Sequence, residues 1–577
     1  MGILFLDFIP FRRRGDPLPR NRPAATCRED ETFFQKWGSL LVLSLALAII
    51  LIDATLLNVS LKAIISDLHT DIQKVQWVIT AYSLTLAALT ITGGRLGDLF
   101  GRKRMFMFGA ILFGIGSFIA SIANSVPVLI AGESIIEGVG AALMMPATAS
   151  LLVSKFRGRD RAIAFGVWGG VAGASTAIGP LLGGWLTTNY SWRWGFRINL
   201  FVVAVLLIGS VMIDECYDVE EKPTLDGLGV LLSSVGLFTL VFGIIESSTY
   251  GWWKAKTPFS EFGLSWQLGG YSITPFAIGL GLVVLTAFLL WERRVERSGR
   301  TPLVSLELFA NRQFMSGAAT TGVVAMGQAG LIFSIPVFLQ AVRGADAFHT
   351  GLALVPSSIA AFIAAPTAAV LTQRFPAKRL IQFGLVLNVT SYLILRQTLN
   401  VNTTPSDFIF GLVIQGVGLG IVLAQINNLT LSAVSVQQAG EASGVNNTFR
   451  QLGSTLGTAI IGALLISAIG TGLLGGLEAS KVIPQQFKSQ ISSMVSKQSS
   501  AVEFGGGAQI PASVPQKIKD EVTRVSHAAI TAANRKALLV GTIIAFFGLL
   551  ASAWLPGGKR LDTSRSAAHH PAVKGDE

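Results

Sequence analysis

The chain has 577 residues, of which 51% are hydrophobic and only 14% are charged, with a net charge of +12 and a mean hydropathy of +0.58. Soluble domains average about 25% charged residues, so this composition excludes an ordinary soluble enzyme. It also argues against nucleic acid as the partner, because the Arg and Lys residues stand in short loops between apolar runs, where they set membrane orientation.

The first residues are polar and basic, including Arg12, Arg13 and Arg14. The first apolar run, 38–60, exceeds the 7–15 residues of a signal-peptide core and reads as an uncleaved span after a cytoplasmic tail, 1–37. About 20 apolar residues cross the hydrocarbon. Runs of that kind follow near 76–96, 105–123, 127–150, 163–186, 197–213, 227–246, 273–291, 314–339, 350–372, 379–396, 408–431, 442–469 and 537–555. They predict an all-α polytopic membrane protein with about fourteen spans. The expected divisions are 38–213, a six-helix bundle; 214–300, two linker spans with their loops; 301–556, a second six-helix bundle; and 557–577, a second tail. The stretch 470–535 is predicted to be a long extracytoplasmic loop. Within it Ile518, Val522, Val525 and Ala529 recur at helical spacing.

Arg and Lys gather in the loops holding Arg102, Lys103 and Arg104; Lys155, Arg157, Arg159 and Arg161; Arg293, Arg294, Arg297 and Arg300; and Arg374, Lys378 and Arg379. The positive-inside rule makes that side cytoplasmic, together with both termini. Cys27 and Cys216 fall on the same side, where disulfides are not expected.

Between the second and third runs stands Gly94-Arg95-Leu96-Gly97-Asp98-Leu99-Phe100-Gly101-Arg102-Lys103-Arg104. Glycines let helix ends turn and approach closely. An acid is favoured at a helix N-terminus, and basic residues can pair with acids of another bundle in one conformation only, as a gate requires. An orientation signal alone explains the Arg and Lys residues but not the Gly/Asp spacing. The fifth run carries Gly166, Gly169, Gly170, Gly173, Gly179, Pro180, Gly183 and Gly184. Small residues at this spacing allow close helix contact, which general packing or dimerisation also uses; Pro180 can kink the span.

The first of these stretches resembles the cytoplasmic loop motif of the major facilitator superfamily, and the second resembles its antiporter motif, which favours export. Ile52-Asp53-Ala54-Thr55-Leu56-Leu57-Asn58-Val59, Trp77-Val78-Ile79-Thr80-Ala81-Tyr82 and Ser191-Trp192-Arg193-Trp194 are similar to the drug:proton antiporters with fourteen spans, the EmrB/QacA type. The resemblance implies two six-helix halves plus two linker helices, with inverted repeats and a substrate site near the midplane between the halves. It implies Asp53 and Asn58 for proton coupling or substrate contact. It implies Gly94, Arg95, Asp98, Gly101, Arg102 and Arg104 for the cytoplasmic gate, and Gly173, Gly179, Pro180, Gly183 and Gly184 for the antiporter motif. Lys62 departs from the family pattern, where Pro is usual. The fourth run departs more, with Ser134 where Arg is usual and Glu137 where Gln is usual.

Asp53 lies deep in its run, where a carboxylate costs on the order of 2.5–3.5 kcal/mol; it has functional work to do, or it is satisfied by Thr55 or Asn58, or it is simply protonated. Glu133 and Glu137 share one helix face, and two such acids in a low dielectric suit reversible proton binding. The alternative for the pair is a structural role nearer the outer water. Arg450 is a further candidate, or else an interfacial arginine that snorkels. Gln415, Gln425, Asn427 and Asn428 place polar groups on the twelfth run, against substrate or a partner helix.

No G-x-x-x-x-G-K-[ST], C-x-x-C or H-E-x-x-H occurs, so neither ATP, a metal, another cofactor nor an enzymatic reaction is expected. The expected function is proton-coupled export of amphipathic small molecules from the bacterial inner membrane. Cationic cargo is favoured by the embedded carboxylates and by aromatics such as Phe165 and Trp168. The expected partners are substrate, protons and lipid, for a monomer, with a periplasmic adaptor as an additional candidate. The alternatives are an exporter dedicated to one metabolite, siderophore or antibiotic, and a non-transporting receptor or scaffold.

Overall fold

In hydrocarbon every backbone N–H and C=O has to be paired within the protein, so an apolar run of spanning length becomes a helix. The computed structural model describes residues 33–556, apart from 71, 216–224, 262–263, 267–268, 485–487 and 489–514. Most of the N-terminal tail with Cys27, the acidic segment with Cys216, the middle of the 470–535 stretch and the C-terminal tail lie outside the described residues.

Fourteen long helices follow the fourteen apolar runs. In the first half they are α1 (Phe33–Asp67), α2 (Ile72–Phe100), α3 (Arg102–Ser121), α4 (Val126–Lys155), α5 (Gly158–Asn189) and α6 (Arg193–Gly209). The linkers are α7 (Gly227–Tyr250) and α8 (Thr274–Arg297). The second half holds α9 (Arg312–Ala341), α10 (Ala347–Leu371), α11 (Ala377–Thr398), α12 (Ile409–Leu431), α13 (Ala439–Ala479) and α14 (Gln516–Ala551). Among the described residues, thirteen helices are long and apolar enough to cross a membrane. The remaining one, α11, has 22 residues, but Lys378, Arg379, Asn388 and Arg396 lower its apolarity. A short antiparallel pair, β1 (Phe259–Glu261) and β2 (Leu264–Trp266), caps the connection between α7 and α8.

Glycine sets how closely the helices approach. On α3 and α4, a Cβ at Gly109 would stand 2.8 Å from the Gly140 carbonyl oxygen, and one at Gly140 would stand 2.6 Å from that of Gly109. Gly116 and Gly132 repeat this reciprocal contact nearer the start of α4. The two backbones therefore touch, and side chains beside the glycines are forced together.

The halves meet along two seams. In one, α5 packs on α10 and α12. In the other, α13 packs on α2 and α4. The linker pair lies beside the second seam, with α7 against both α2 and α13. Trp77 stacks on Phe242 there, ring centroids 6.1 Å apart.

The predicted loop 470–535 is more helical than expected. Helix α13 runs on to Ala479 and α14 starts at Gln516. Leu473, Leu477 and Ile483 pack against Ile518, Val522, Val525 and Ala529, so the apolar spacing read in the sequence buries a small two-helix core of its own.

Candidate functional site

The three predicted acids converge. Asp53 projects from α1, and Glu133 and Glu137 project from α4. One carboxyl oxygen from each lies within 4.8 Å of the others. All three are buried to 1% exposure or less. The α4 stretch Ile130–Glu137 is a π-helical turn, a local widening that recurs at functional sites and here still leaves both glutamates on one face.

Two further helices complete the cluster. Asn199 of α6 donates one amide nitrogen to Asp53 Oδ1 at 2.9 Å, Glu137 Oε1 at 3.1 Å and Ser117 Oγ at 3.2 Å. Ser117 of α3 arrives because Gly116 beside it lets α3 touch α4 at Glu137. Asp53 Oδ2, Glu137 Oε2 and both Glu133 oxygens have no hydrogen-bond donor, and neither does the buried Tyr82 hydroxyl have a partner. Thr55 does not satisfy Asp53, because its hydroxyl donates to the Leu51 and Ile52 carbonyls. Asn58 lies in α1, but its side chain is outside the described residues.

Two unit charges within 4.8 Å repel by at least about 3.5 kcal/mol at an effective dielectric of 20. Three carboxylates without a cation therefore cannot all be ionised, and protons are the simplest means of balance. A hard divalent cation takes six or more oxygens, whereas Asn199 turns an N–H toward the acids, so the donor set suits protons better. Glu133 and Glu137 lie seven and eleven residues after Val126, about 10 and 16 Å along the helix. Ser134, at the position where the family usually has Arg, donates to the Val78 carbonyl at 2.7 Å and fixes α4 to α2.

The Gly94–Arg104 stretch makes a second constellation. Asp98 accepts the backbone N–H groups of Gly440 at 3.2 Å and Glu441 at 2.9 Å. It therefore caps the N-terminus of α13 in the opposite half, where the helix dipole favours an anion. Arg102 holds Asp98 Oδ1 through Nε at 3.1 Å and Nη2 at 2.8 Å, and also reaches the Val436 carbonyl. Arg95 Nη1 stands 3.5 Å from Glu441 Oε2. Gly94 is required because any Cβ there would overlap the Gly440 carbonyl. Gly101 has φ +103°, a conformation open to glycine. Arg104 contributes through its backbone N–H, which with that of Lys103 is accepted by Glu215 at 3.1–3.2 Å.

Sequence reading missed one buried acid near this constellation. Glu292, fully buried at the end of linker helix α8, accepts the N–H groups of Leu303 at 2.8 Å and Val304 at 3.4 Å. The chain leading into the second half is thus held to the end of α8. Its only advance signal was an acid at the end of an apolar run.

The glycines of α5 serve both neighbours. A Cβ at Gly173 would lie 2.9 Å from Ala361 of α10, and one at Gly183 would lie 3.0 Å from Leu56 of α1. Gly179 abuts Thr55, and Gly351 of α10 packs on Pro180 and Leu181. Gly184 is buried in the same helix. Arg450 departs from the interfacial expectation. Helix α13 begins at Ala439, eleven residues earlier, which places Arg450 about 17 Å along the helix. Its guanidinium meets Met145 Sδ of α4 at 2.8 Å, across the seam.

The sequence profile of the Major Facilitator Superfamily matches residues 43–277 and 227–458. The chain is 31% identical to a probable actinorhodin transporter of Streptomyces coelicolor, over 79% of this chain and 77% of that one. It is 30% identical to the multidrug resistance protein Stp of Mycobacterium tuberculosis, over 78% and 79%. The structure is similar in fold to the human transporter MFSD10, with TM-score 0.52, 10% identity and coverage of 88% and 99%.

Proposed function

The chain belongs to the major facilitator superfamily, and from that membership we propose that it is a proton-driven exporter of amphipathic small molecules, drugs and antibiotics among them. The names of the relatives support the cargo class. The observation that carries the coupling is the enclosed three-acid cluster of Asp53, Glu133 and Glu137, with no cation to balance it among the described residues.

In this reading the cluster takes a proton from outside as cargo leaves and yields it to the cytoplasm after the halves rock. The contacts of Asp98, Arg102, Arg95 and Glu441 close the cytoplasmic end in one state and part in the other. Gly173, Gly179, Pro180, Gly183 and Gly184 keep α5 close to α1 and α10 through the exchange. One proton entering across about 150 mV supplies roughly 3.5 kcal/mol, enough for a gradient of a few hundred-fold. The acids sit inside one half, so we assign them to the proton and not to cationic cargo. Both termini face the cytoplasm, and the transporter works as a monomer.

A dedicated exporter of one secondary metabolite is the second reading, favoured by the actinorhodin relative. A silent receptor is disfavoured, because the gate contacts join the two halves in full. Reconstituted protein should drive cargo uphill when a proton gradient is imposed, and an uncoupler should abolish the effect. Export that ignores the uncoupler, or that follows a sodium gradient instead, would refute the coupling.

A further inference from the structure

The three acids lie on one side of the α4–α13 seam, and the seam itself carries the opposite charge. Arg450 reaches across it from the third to fourth turn of α13, and its hydrogen-bond partner is the Met145 sulfur. A thioether is a weak, neutral acceptor. No carboxylate pairs with Arg450 among the described residues. Met145 stands eight residues beyond Glu137 on α4, about 12 Å further along the axis, so the acid cluster does not supply the missing anion.

An uncompensated guanidinium is costly at membrane depth, and such residues mark substrate or ion pathways. The surroundings suit one kind of ligand. Met145, Phe165, Trp168 and Phe449 belong to the same packed cluster, drawn from α4, α5 and α13 of both halves. The Trp168 indole N–H is buried without an acceptor. One turn before Arg450, Asn446 is buried and donates to Asn427 at 3.0 Å. The seam therefore offers a planar cation, and the apolar core that continues from Met145 into α5 adds a free N–H donor and aromatic faces.

We propose that Arg450 recognises an acidic group on the cargo, and that the preferred substrates are planar aromatic anions bearing a carboxylate or phenolate. The inference rests on the export reading and narrows its cargo. A guanidinium forks onto a carboxylate and stacks on aromatic rings. The cargo anion displaces Met145 when the halves separate. Export of an anion against entry of a proton moves both charges in the direction that a negative-inside potential favours.

The test is binding of carboxyfluorescein, an aromatic anion, and ethidium, an aromatic cation, to the full chain in nanodiscs, read by anisotropy. The wild type should prefer carboxyfluorescein. Arg450→Gln should reduce the anion-to-cation preference about 10-fold or more, the loss expected for one charged hydrogen-bond partner. Arg450→Lys should restore part of it. Met145→Leu, which frees the guanidinium without removing charge, should leave anion binding equal or tighter. Equal binding of both probes by the wild type, or equal weakening of both by Arg450→Gln, would overturn the proposal. Failure of export is read separately in everted vesicles: anion preference without proton-driven transport counts against the pump and leaves the binding assignment standing.

Discussion

The two halves bury polar groups of different kinds. In the first, Asp53 and Glu137 share the Asn199 amide, while both Glu133 oxygens and one oxygen of each of the other two acids have no donor. In the second, apart from the Arg450 guanidinium at the seam, the buried polar groups near mid-membrane are neutral amides and hydroxyls, some paired and some, such as Gln425, without a partner. Ser334 donates to Asn534 at 2.6 Å, Asn534 donates onward to the Ile530 carbonyl at 2.9 Å, and Ser391 donates to the Gly411 carbonyl at 2.7 Å. A small cavity of about 10 Å³ beside Asn388, Tyr392 and Gln415 is room for one water. Amides and hydroxyls keep their charge state at any physiological pH, whereas carboxyls can change it. Similar helical scaffolds thus bury groups able to change charge in one half and, at that depth, groups that keep theirs in the other.

The sharpest break of this contrast short of removing Asp53 is Glu137→Gln, since Glu137 is tied to Asn199 within the acid cluster. Proton-driven export should fall about 10-fold or more, and the pH dependence of the residual rate should move, because the remaining acids lose a charged neighbour. Rates across a pH series in everted vesicles decide it; an unmoved profile would make the glutamates structural.

Next in size is Asp98→Asn at the boundary between the halves. It removes the anion that caps α13 and anchors Arg102, so transport should fall several-fold while cargo affinity stays within about twofold, as expected for a contact that biases a two-state equilibrium without touching cargo. Parallel binding and flux measurements check this.

Ser334→Ala in the second half should cost about 1–3 kcal/mol by leaving the Asn534 oxygen without its donor. A lower melting temperature with an unchanged pH profile of transport is the expected pair of results. A moved profile would mean that the second half titrates after all.

The smallest effect belongs to an exposed ion pair between the end of α1 and the start of α6. Arg193 pairs with Asp67 at 2.5 Å and holds its carboxyl below the usual aspartate range. A depressed carboxyl contributes stability above its unfolded value of about 3.9 that is lost as pH falls through the folded value. Arg193→Gln should therefore narrow the stability difference between pH 7 and pH 3, and only slightly, because the pair is solvent-exposed. Melting curves at the two pH values measure it.

The long apolar runs made the helices legible, and the Gly/Asp spacing at 94–104 singled out a stretch that joins the two halves. Asp53, Glu133 and Glu137 were each visible as acids in apolar runs. Their meeting was not, because it depends on α1, α3, α4 and α6 closing on one another through Gly116 and Gly132. Asn199 carried a faint signal, one amide in an apolar run. The partner of Asp98 was hidden for a different reason: it is a pair of backbone N–H groups some 340 residues away, and a backbone donor has no sequence signature. The depth of Arg450 was misjudged because α13 starts earlier than its apolar stretch, at the gate itself. The helical ends of the 470–535 stretch were half visible, since the 518–529 spacing showed the helix but not its partner on α13.

The most direct test of the central claim is to separate coupling from movement with Asp53→Asn in proteoliposomes. Asparagine keeps the shape and can still accept from Asn199, but it cannot lose a proton. The variant should insert as well as wild type or better, because the cost of a carboxylate at depth is removed. It should still exchange labelled for unlabelled cargo, and it should fail to accumulate cargo against its gradient when an inward proton gradient is imposed. Uphill accumulation by Asp53→Asn at the wild-type level would contradict the account.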